Sequence, residues 1–424
     1  MAVAAAELAG IELTAPEFWG RPLRERDEAF ARLRAQPAPV HFRELKIPFI
    51  PHGDGFHALV RHADVVEASR RADVFSSEPA SNSISDLPGY LARFFGSMIN
   101  MDDPRHAKIR RIVSRAFTPR MLARLDDDID TAAREIVDDV LAGRGTGDFV
   151  LDVAARLPVR IICDMMGIPA SERDRVFRHT NTILGIGDPE YGVGSAISRT
   201  SVALGLIQVL DAATDLQLMV RRLGRQRRRR PSDDLITALT TGNIDGEQLT
   251  DQELGSFFIL LVAAGNETTR NAISHALKLL TLNEDQRALL VSDLDRYLPT
   301  AVEEIVRYST PVIQFRRTLT RDHVLNGHPF LEGQKVLLYY NSANRDEAVF
   351  TDPDRFDITR HPNPHVGFGG PGPHFCLGAN LARREISVML RELYTRVPAL
   401  RSTGAPDRLL SGFINGIKHL EYTV

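Results

Sequence analysis

Cysteine is almost absent from this chain: its 424 residues include two, Cys163 and Cys376. That is too few for a disulfide framework and fits a reducing, cytoplasmic compartment. Long hydrophobic runs are also missing. The longest strongly apolar stretch, FFILLVAAG at 257–265, falls well short of the ~20 residues that span a bilayer. The N-terminal MAVAAAELAGIELTAPEFWG lacks the basic region of a secretory signal, so no membrane anchor is expected. An excess of charge of one sign is lacking too. A net charge of −3 gives no electrostatic reason to expect nucleic acid or an anionic membrane as partner. No internal repeat is present. The one biased segment, RRLGRQRRRRP at 221–231, reads as a solvated helix end plus turn. It has no interleaved aromatics to support an anionic docking patch.

What is present is the composition of a globular protein, 43% hydrophobic and 25% charged, able to bury a large core. Length alone would suggest two or three domains of ~150 residues. Residues 41–62 mix short β-like runs with glycine and proline and predict a small sheet. Helical periodicity dominates from about residue 64. Leu125, Ile129, Ala133, Ile136, Val137 and Val140 form one apolar stripe, with Gly143 past its end. Further helices are predicted at 104–116, 171–184, 198–222, 233–240, 251–280, 284–291, 297–308 and 376–396. Asn326-Gly327 signals a hairpin, with a β run after it. The stretch 342–375 reads as a long irregular loop, which inside a compact domain is usually functional. Segment 185–200 predicts a lid between two helices. The fold class expected is mainly α with small β-sheets.

Cys163 sits in the apolar run VRIICDMMGIP and reads as a small buried hydrophobe. Cys376 is different. It lies in GFGGPGPHFCLG, 367–378, among five glycines and two prolines, at the mouth of a helix-like run. A thiolate ligand needs a lowered pKa, which a helix N-terminus provides, and a chain that curls tightly around the sulfur, which glycine permits. Gly369, Gly370, Gly372 and Gly378 surround it, and His374 is placed to reach a carboxylate. By itself the loop leaves three readings open: a turn residue, a reactive thiol or a haem ligand.

The loop resembles the haem-binding signature of the cytochrome P450 family, Phe-x-x-Gly-x-x-x-Cys-x-Gly. Gly372, Cys376 and Gly378 match, and Phe368 lies one residue further from the cysteine than the pattern has it. Four other stretches carry the resemblance across nearly the whole chain. In DDPRHAKIRR, His106 and Arg110 share a helix face, and paired donors suit a carboxylate. The plain alternative is an exposed basic helix, whereas in the family this helix holds a haem propionate; FTPR, 117–120, fits as well. In VAAGNETTR, Ala264 and Gly265 remove bulk from one turn and predict a gap or kink. Glu267 and Thr268 put an acid and a hydroxyl beside it, costly in mid-helix without a task. The plain alternative is a threonine bonded to its own backbone; the family's task is proton delivery to dioxygen. In EEIVRY, Glu304 and Arg307 match a structural pair whose third member matches Arg355, and in PVIQFRRTLTRD Arg317 matches a propionate donor.

The resemblance implies one domain over 1–424, with haem b (iron protoporphyrin IX) between a long central helix and the cysteine-loop helix. Cys376 is then the axial ligand of the haem iron. Haem contacts are expected from His106, Arg110, Ala264, Gly265, Arg317, Phe368, Gly369, His374 and Gly378, and catalytic roles from Thr268 and Glu267. It implies a monooxygenase that uses dioxygen and electrons from a ferredoxin and its NAD(P)H-dependent reductase. The substrate expected is a small, hydrophobic, lipid-like molecule: a methyl-branched lipid or isoprenoid hydroxylated at its end, or a sterol side chain. Its candidate lining is Ile84, Leu87, Phe94, Phe95, Met98, Phe257, Leu261, Val312, Phe315 and Phe413. The alternatives are a tailoring hydroxylase for a polyketide or terpenoid and, outside catalysis, a haem-based sensor or carrier, against which the intact Glu267 and Thr268 argue.

Overall fold

A computed structural model describes residues 8–116, 119–143, 145–194, 197–241 and 248–424. The FTPR stretch falls largely outside the described residues, as do 195–196 of the expected lid.

The central element is the helix Asp251–Leu282. A capping box starts it: Glu253 N–H donates to Thr250 Oγ1 (3.2 Å), and Thr250 N–H donates to Glu253 Oε2 (2.9 Å). From there it continues as one helix through Ala264-Gly265 to Leu282. Around it pack the helices Arg156–Met166, Arg173–Leu184, Arg199–Arg229, Leu294–Ser309 and Ala379–Arg396. The apolar stripe of the helix Pro119–Ala142 behaves as its spacing predicts. Leu125, Ile129, Ala133, Ile136, Val137 and Val140 are all buried in the main core. Cys163 is buried there too, and burial pushes its thiol up to about 12.

The predicted sheet is real, but it is completed from far along the chain. Its strand order is Val40–Phe42, Phe56–Leu59, Lys335–Tyr339, Gln314–Leu319, Phe75–Ser76. His57 pairs with Val336 in parallel, while Arg317 pairs with Val336 antiparallel. The Asn326-Gly327 turn joins His323–Leu325 to His328–Phe330, with φ of 47° and 82°, the positive values such a turn requires.

The helix Arg199–Arg229 continues through the arginine run that sequence reading took for a helix end and turn. Asp234 takes Arg227, and Asp251 takes Arg228 at 2.9 Å and Arg225 at 3.8 Å, so opposite charge offsets the repulsion that would end it. By length and composition this helix alone among the described residues would reach across a membrane, which the reading of 257–265 overlooked. It packs Ala212, Ala213, Leu216, Met219 and Val220 into the fold.

One core group sets a pH dependence. Glu385, 2% exposed, has Oε2 without a partner among the described residues, and burial pushes its carboxyl up to about 8. The folded chain keeps a proton that the unfolded chain releases above its ordinary value of 4.5. Stability contributed here therefore falls as pH rises from that value to about 8, then levels off. Glu385→Gln is expected to raise stability at pH 8 by on the order of a few kcal/mol and to change little near pH 5. Urea unfolding at the two pH values reads the difference.

Candidate haem site

The cysteine loop is a tight structure of its own. Cys376 N–H donates to the Phe368 carbonyl at 3.0 Å, and Phe375 N–H donates to Gly372 O at 3.1 Å. Gly369 has φ of +88°, a conformation that favours glycine. Gly370 and Gly372 are needed for a different reason than the sulfur. A Cβ on Gly370 would lie 2.4 Å from Ser69 Oγ, and one on Gly372 would lie 2.1 Å from Ser69 O. The loop is thus pressed against the helix His62–Arg70. Gly378 caps the helix Ala379–Arg396, and its N–H bonds the Cys376 thiol. The expected lowering of that thiol's pKa is not what the protein alone produces. Burial pushes it up, and the Gly378 N–H, Arg110 and Arg383 pull it back only in part. A bound metal deprotonates a coordinating thiol outright.

Two clamps hold the loop, and neither was evident beforehand. Arg383 donates to Glu303 through Nε (2.6 Å) and Nη2 (2.9 Å), and its guanidinium lies 4.3 Å from the centre of the Phe368 ring. His365 Nε2 reaches the same carboxylate at 3.0 Å. Burial would raise Glu303, but the bonds from His365 and Arg383 outweigh it and hold the carboxyl down at about 2. On the other side, Arg110 donates to the Phe375 carbonyl at 2.8 Å.

The rings of His106 and His374 pack together, tilted, with centres 4.2 Å apart. Burial, then Arg317, His106 and Arg110, push His374 down to about 3. His374 is engaged by Ser77 Oγ at 2.9 Å and by the Met101 backbone. His374 thereby buttresses His106. His106 Nε2 itself is buried and has no partner among the described residues. Arg317, 5% exposed, spends Nη1 on its neighbour's carbonyl at 2.8 Å, and burial lowers its pKa although Tyr340 and Asp102 oppose this. An orphaned imidazole nitrogen and a buried guanidinium beside one thiol fit the propionates of a haem whose iron the thiol would bind.

On the central helix, Ala264 is exposed and Leu261 and Thr268 half-buried, a break in an otherwise buried element. Gly265 answers to packing, since a Cβ there would lie 2.8 Å from Ile162 Cδ1. Thr268 Oγ1 donates to the Ala264 carbonyl at 2.5 Å, the backbone bond of the plain reading, which leaves its oxygen free to accept. Glu267 is engaged there through Oε1, while its Oε2 is buried with no partner among the described residues. It is buried and ion-paired with Arg270, and it accepts from Asn271 Nδ2 at 3.2 Å. Arg270 is tied in turn to Asn181 Oδ1 at 2.9 Å.

The apolar candidates form two groups. Phe94, Phe95, Met98, Phe257 and Leu261 pack in the main core, with the Phe94 and Phe95 rings edge to face at 4.9 Å. Val312 and Phe315 pack in a second core, and the Phe315 ring lies 5.5 Å from that of Phe413. Ile84 belongs elsewhere, with the N-terminal cluster around Trp19, and Leu87 is half-buried.

The structural pair needs one correction. Glu304 and Arg307, both fully buried, meet at 2.7 and 2.8 Å. The third arginine is Arg360, 3.2 Å from Glu304 Oε2. Arg355 offers its carbonyl to Arg307 and Arg360, and its side-chain charge acts on Asp357 and Asp285. Its side chain is exposed, and five residues of loop bring Arg360 inward instead.

Comparison with known proteins agrees with this geometry. The family Cytochrome P450 matches residues 57–396. A methyl-branched lipid omega-hydroxylase of Mycobacterium tuberculosis is 47% identical over 98% of this chain and 95% of its own length. A steroid C26-monooxygenase of Mycolicibacterium smegmatis is 40% identical over 93% of this chain and 90% of its own. A Mycobacterium marinum cytochrome P450 solved in complex with pseudoionone superposes with a TM-score of 0.91, at 39% identity and 98% coverage of both chains. The chain belongs to the cytochrome P450 family and is a monooxygenase with haem as its cofactor.

Proposed function

We propose that this enzyme hydroxylates the terminal carbon of a methyl-branched lipid, with sterol side chains as a related substrate class. Cys376 is the thiolate ligand of haem b; His106 and Arg317, with Arg110, hold the propionates. The observation that carries the site is the convergence of one thiol with His106, Arg110, Arg317 and His374, drawn from a helix, a strand and a loop far apart in sequence. The substrate reading rests on the apolar Phe94, Phe95 and Phe257 group and on the 47% identity to a methyl-branched lipid omega-hydroxylase. One domain suits this assignment, because a single site draws on residues from 106 to 376. Electrons come singly from a ferredoxin served by an NAD(P)H-dependent reductase. The two unbridged thiols suit the cytoplasm.

Haem, when bound, supplies the redox chemistry: dioxygen, two electrons and two protons convert a C–H bond to C–OH and release water. The chain's own part is positioning, water exclusion and proton supply. Thr268 Oγ1 bonds the Ala264 carbonyl and accepts through its lone pairs, so it orders a proton donor at the exposed turn. Glu267 recharges that donor once its pair with Arg270 loosens.

Thr268→Ala is expected to leave substrate-dependent NADH consumption running while product per NADH falls by about tenfold or more. Unchanged coupling would reduce Thr268 to a helix threonine. The substrate assignment is tested by spin-state titration of the ferric enzyme with a methyl-branched fatty acid, a 3-keto sterol and a macrolide. A shift with the branched chain supports it; a shift with the macrolide alone overturns it.

A further inference from the structure

A cleft of about 350 Å³ opens where the short helix Gly89–Phe94 meets the helix Arg199–Arg229 and the start of the central helix. Its apolar side is Phe94 and Leu218, and Tyr90 stands at its edge, 59% exposed. Its charged lining is Arg93 and Arg221, and among the described residues no carboxylate contributes to it. In a chain of net charge −3, two arginines with no facing acid among the described residues need explaining.

The two are held rather than neutralised. Arg221 donates to the Gln217 side-chain oxygen at 3.1 Å and to the Asp251 backbone carbonyl at 3.3 Å, both uncharged acceptors. The Asp251 carboxylate is taken by Arg228 and Arg225. The Arg93 side chain is exposed, while its carbonyl accepts from Gln252 Nε2 at 3.1 Å. Gln217 also donates to the Phe94 carbonyl at 3.4 Å. Two glutamines thus fasten the short helix to both long ones and fix the floor of the cleft. Phe94 links it inward, edge to face with Phe95 and packed in the cluster that holds Phe257 and Leu261.

We infer that this cleft is the head-group subsite of the substrate, and that Arg93 and Arg221 bind the carboxylate of a long-chain acid. The inference rests on the lipid reading above and sharpens it. Thr268 lies sixteen residues beyond Gln252 in one unbroken helix, about 24 Å along its axis. A long acyl chain anchored by its carboxylate at the cleft presents its far end, not its middle, to the turn at Thr268. Terminal hydroxylation then follows from where the head is held. Arginine suits the task, since its planar fork pairs with a carboxylate through two hydrogen bonds.

The test titrates the ferric holoenzyme with a methyl-branched long-chain fatty acid and with its methyl ester, for the parent protein, Arg93→Gln and Arg93→Lys. The acid is expected to bind the parent more tightly than the ester and to weaken with added salt. Arg93→Gln should weaken the acid by about tenfold without moving the ester midpoint, and Arg93→Lys should recover part of the loss. Equal binding of acid and ester by the parent, or an equal loss of both in Arg93→Gln, overturns the subsite. The broader lipid assignment fails separately, if neither acid nor ester shifts the spin state at all.

Discussion

Cys376→Ser is expected to abolish hydroxylation and to remove the thiolate signature from the carbon monoxide difference spectrum. Haem content should fall less than activity. His106, with its free buried nitrogen, and Arg317 remain to hold the propionates, and the loop backbone does not depend on the sulfur. Its bonds run from Cys376 N–H to Phe368 O and from Arg110 to Phe375 O. What serine cannot supply is the electron density that a thiolate pushes toward the O–O bond. The thiol's burial sharpens the point. The protein alone raises its pKa, so under the proposed ligation an ionised sulfur would depend on the iron, and a serine hydroxyl is a far weaker acid still. Retained turnover in Cys376→Ser would mean that the ligand lies elsewhere.

Glu304→Ala is expected to be the most destabilising single change, because one fully buried carboxylate serves five donor contacts. It accepts from Arg307 at 2.7 and 2.8 Å, from Asn363 at 3.1 Å, from the Asp357 N–H at 3.0 Å and from Arg360 at 3.3 Å. Removing it leaves the guanidinium of Arg307, 0% exposed, without its counter-charge, a loss of about 3–5 kcal/mol. The segment 353–363, which leads into the cysteine loop, loses its anchor with it, so haem should be lost as well. The identity of the third arginine gives a control. Arg355→Ala keeps the carbonyl that Arg307 and Arg360 use and removes an exposed side chain that acts on Asp357 only through its charge, so it should stay within about 0.5 kcal/mol of the parent. Arg360→Ala gives up an ion pair to a buried acid and should cost several times more. Urea unfolding of the three variants decides it: equal costs for Arg355→Ala and Arg360→Ala would contradict the assignment.

Periodic and local features were legible in the sequence. The stripe from Leu125 to Val140, the Asn326-Gly327 turn and the glycine loop around Cys376 are each written within a few residues, where spacing and backbone preference act directly. The site's supports were not. Glu303 meets Arg383, and Ser77 meets His374, across 80 and 297 residues, and no local pattern records such pairs. Arg355 and Arg360 sit in one loop, and only its path decides which turns inward. The helix through Arg229 was misjudged because its repulsion is offset by Asp234 and Asp251, acids supplied by other segments. Gly370 and Gly372 looked like concessions to a ligand, yet the neighbour that requires them is Ser69. The residue types that carry chemistry were therefore readable, while the partners that orient them came from the fold.

The most direct test of the account is turnover of a methyl-branched fatty acid under isotopically labelled dioxygen, with a ferredoxin and its reductase supplying electrons. We expect one labelled oxygen atom in a terminal hydroxyl group, its appearance dependent on both electron-transfer proteins. A product that carries oxygen from water, or haem-loaded enzyme that consumes no NADH with any lipid, would contradict a haem-thiolate lipid hydroxylase.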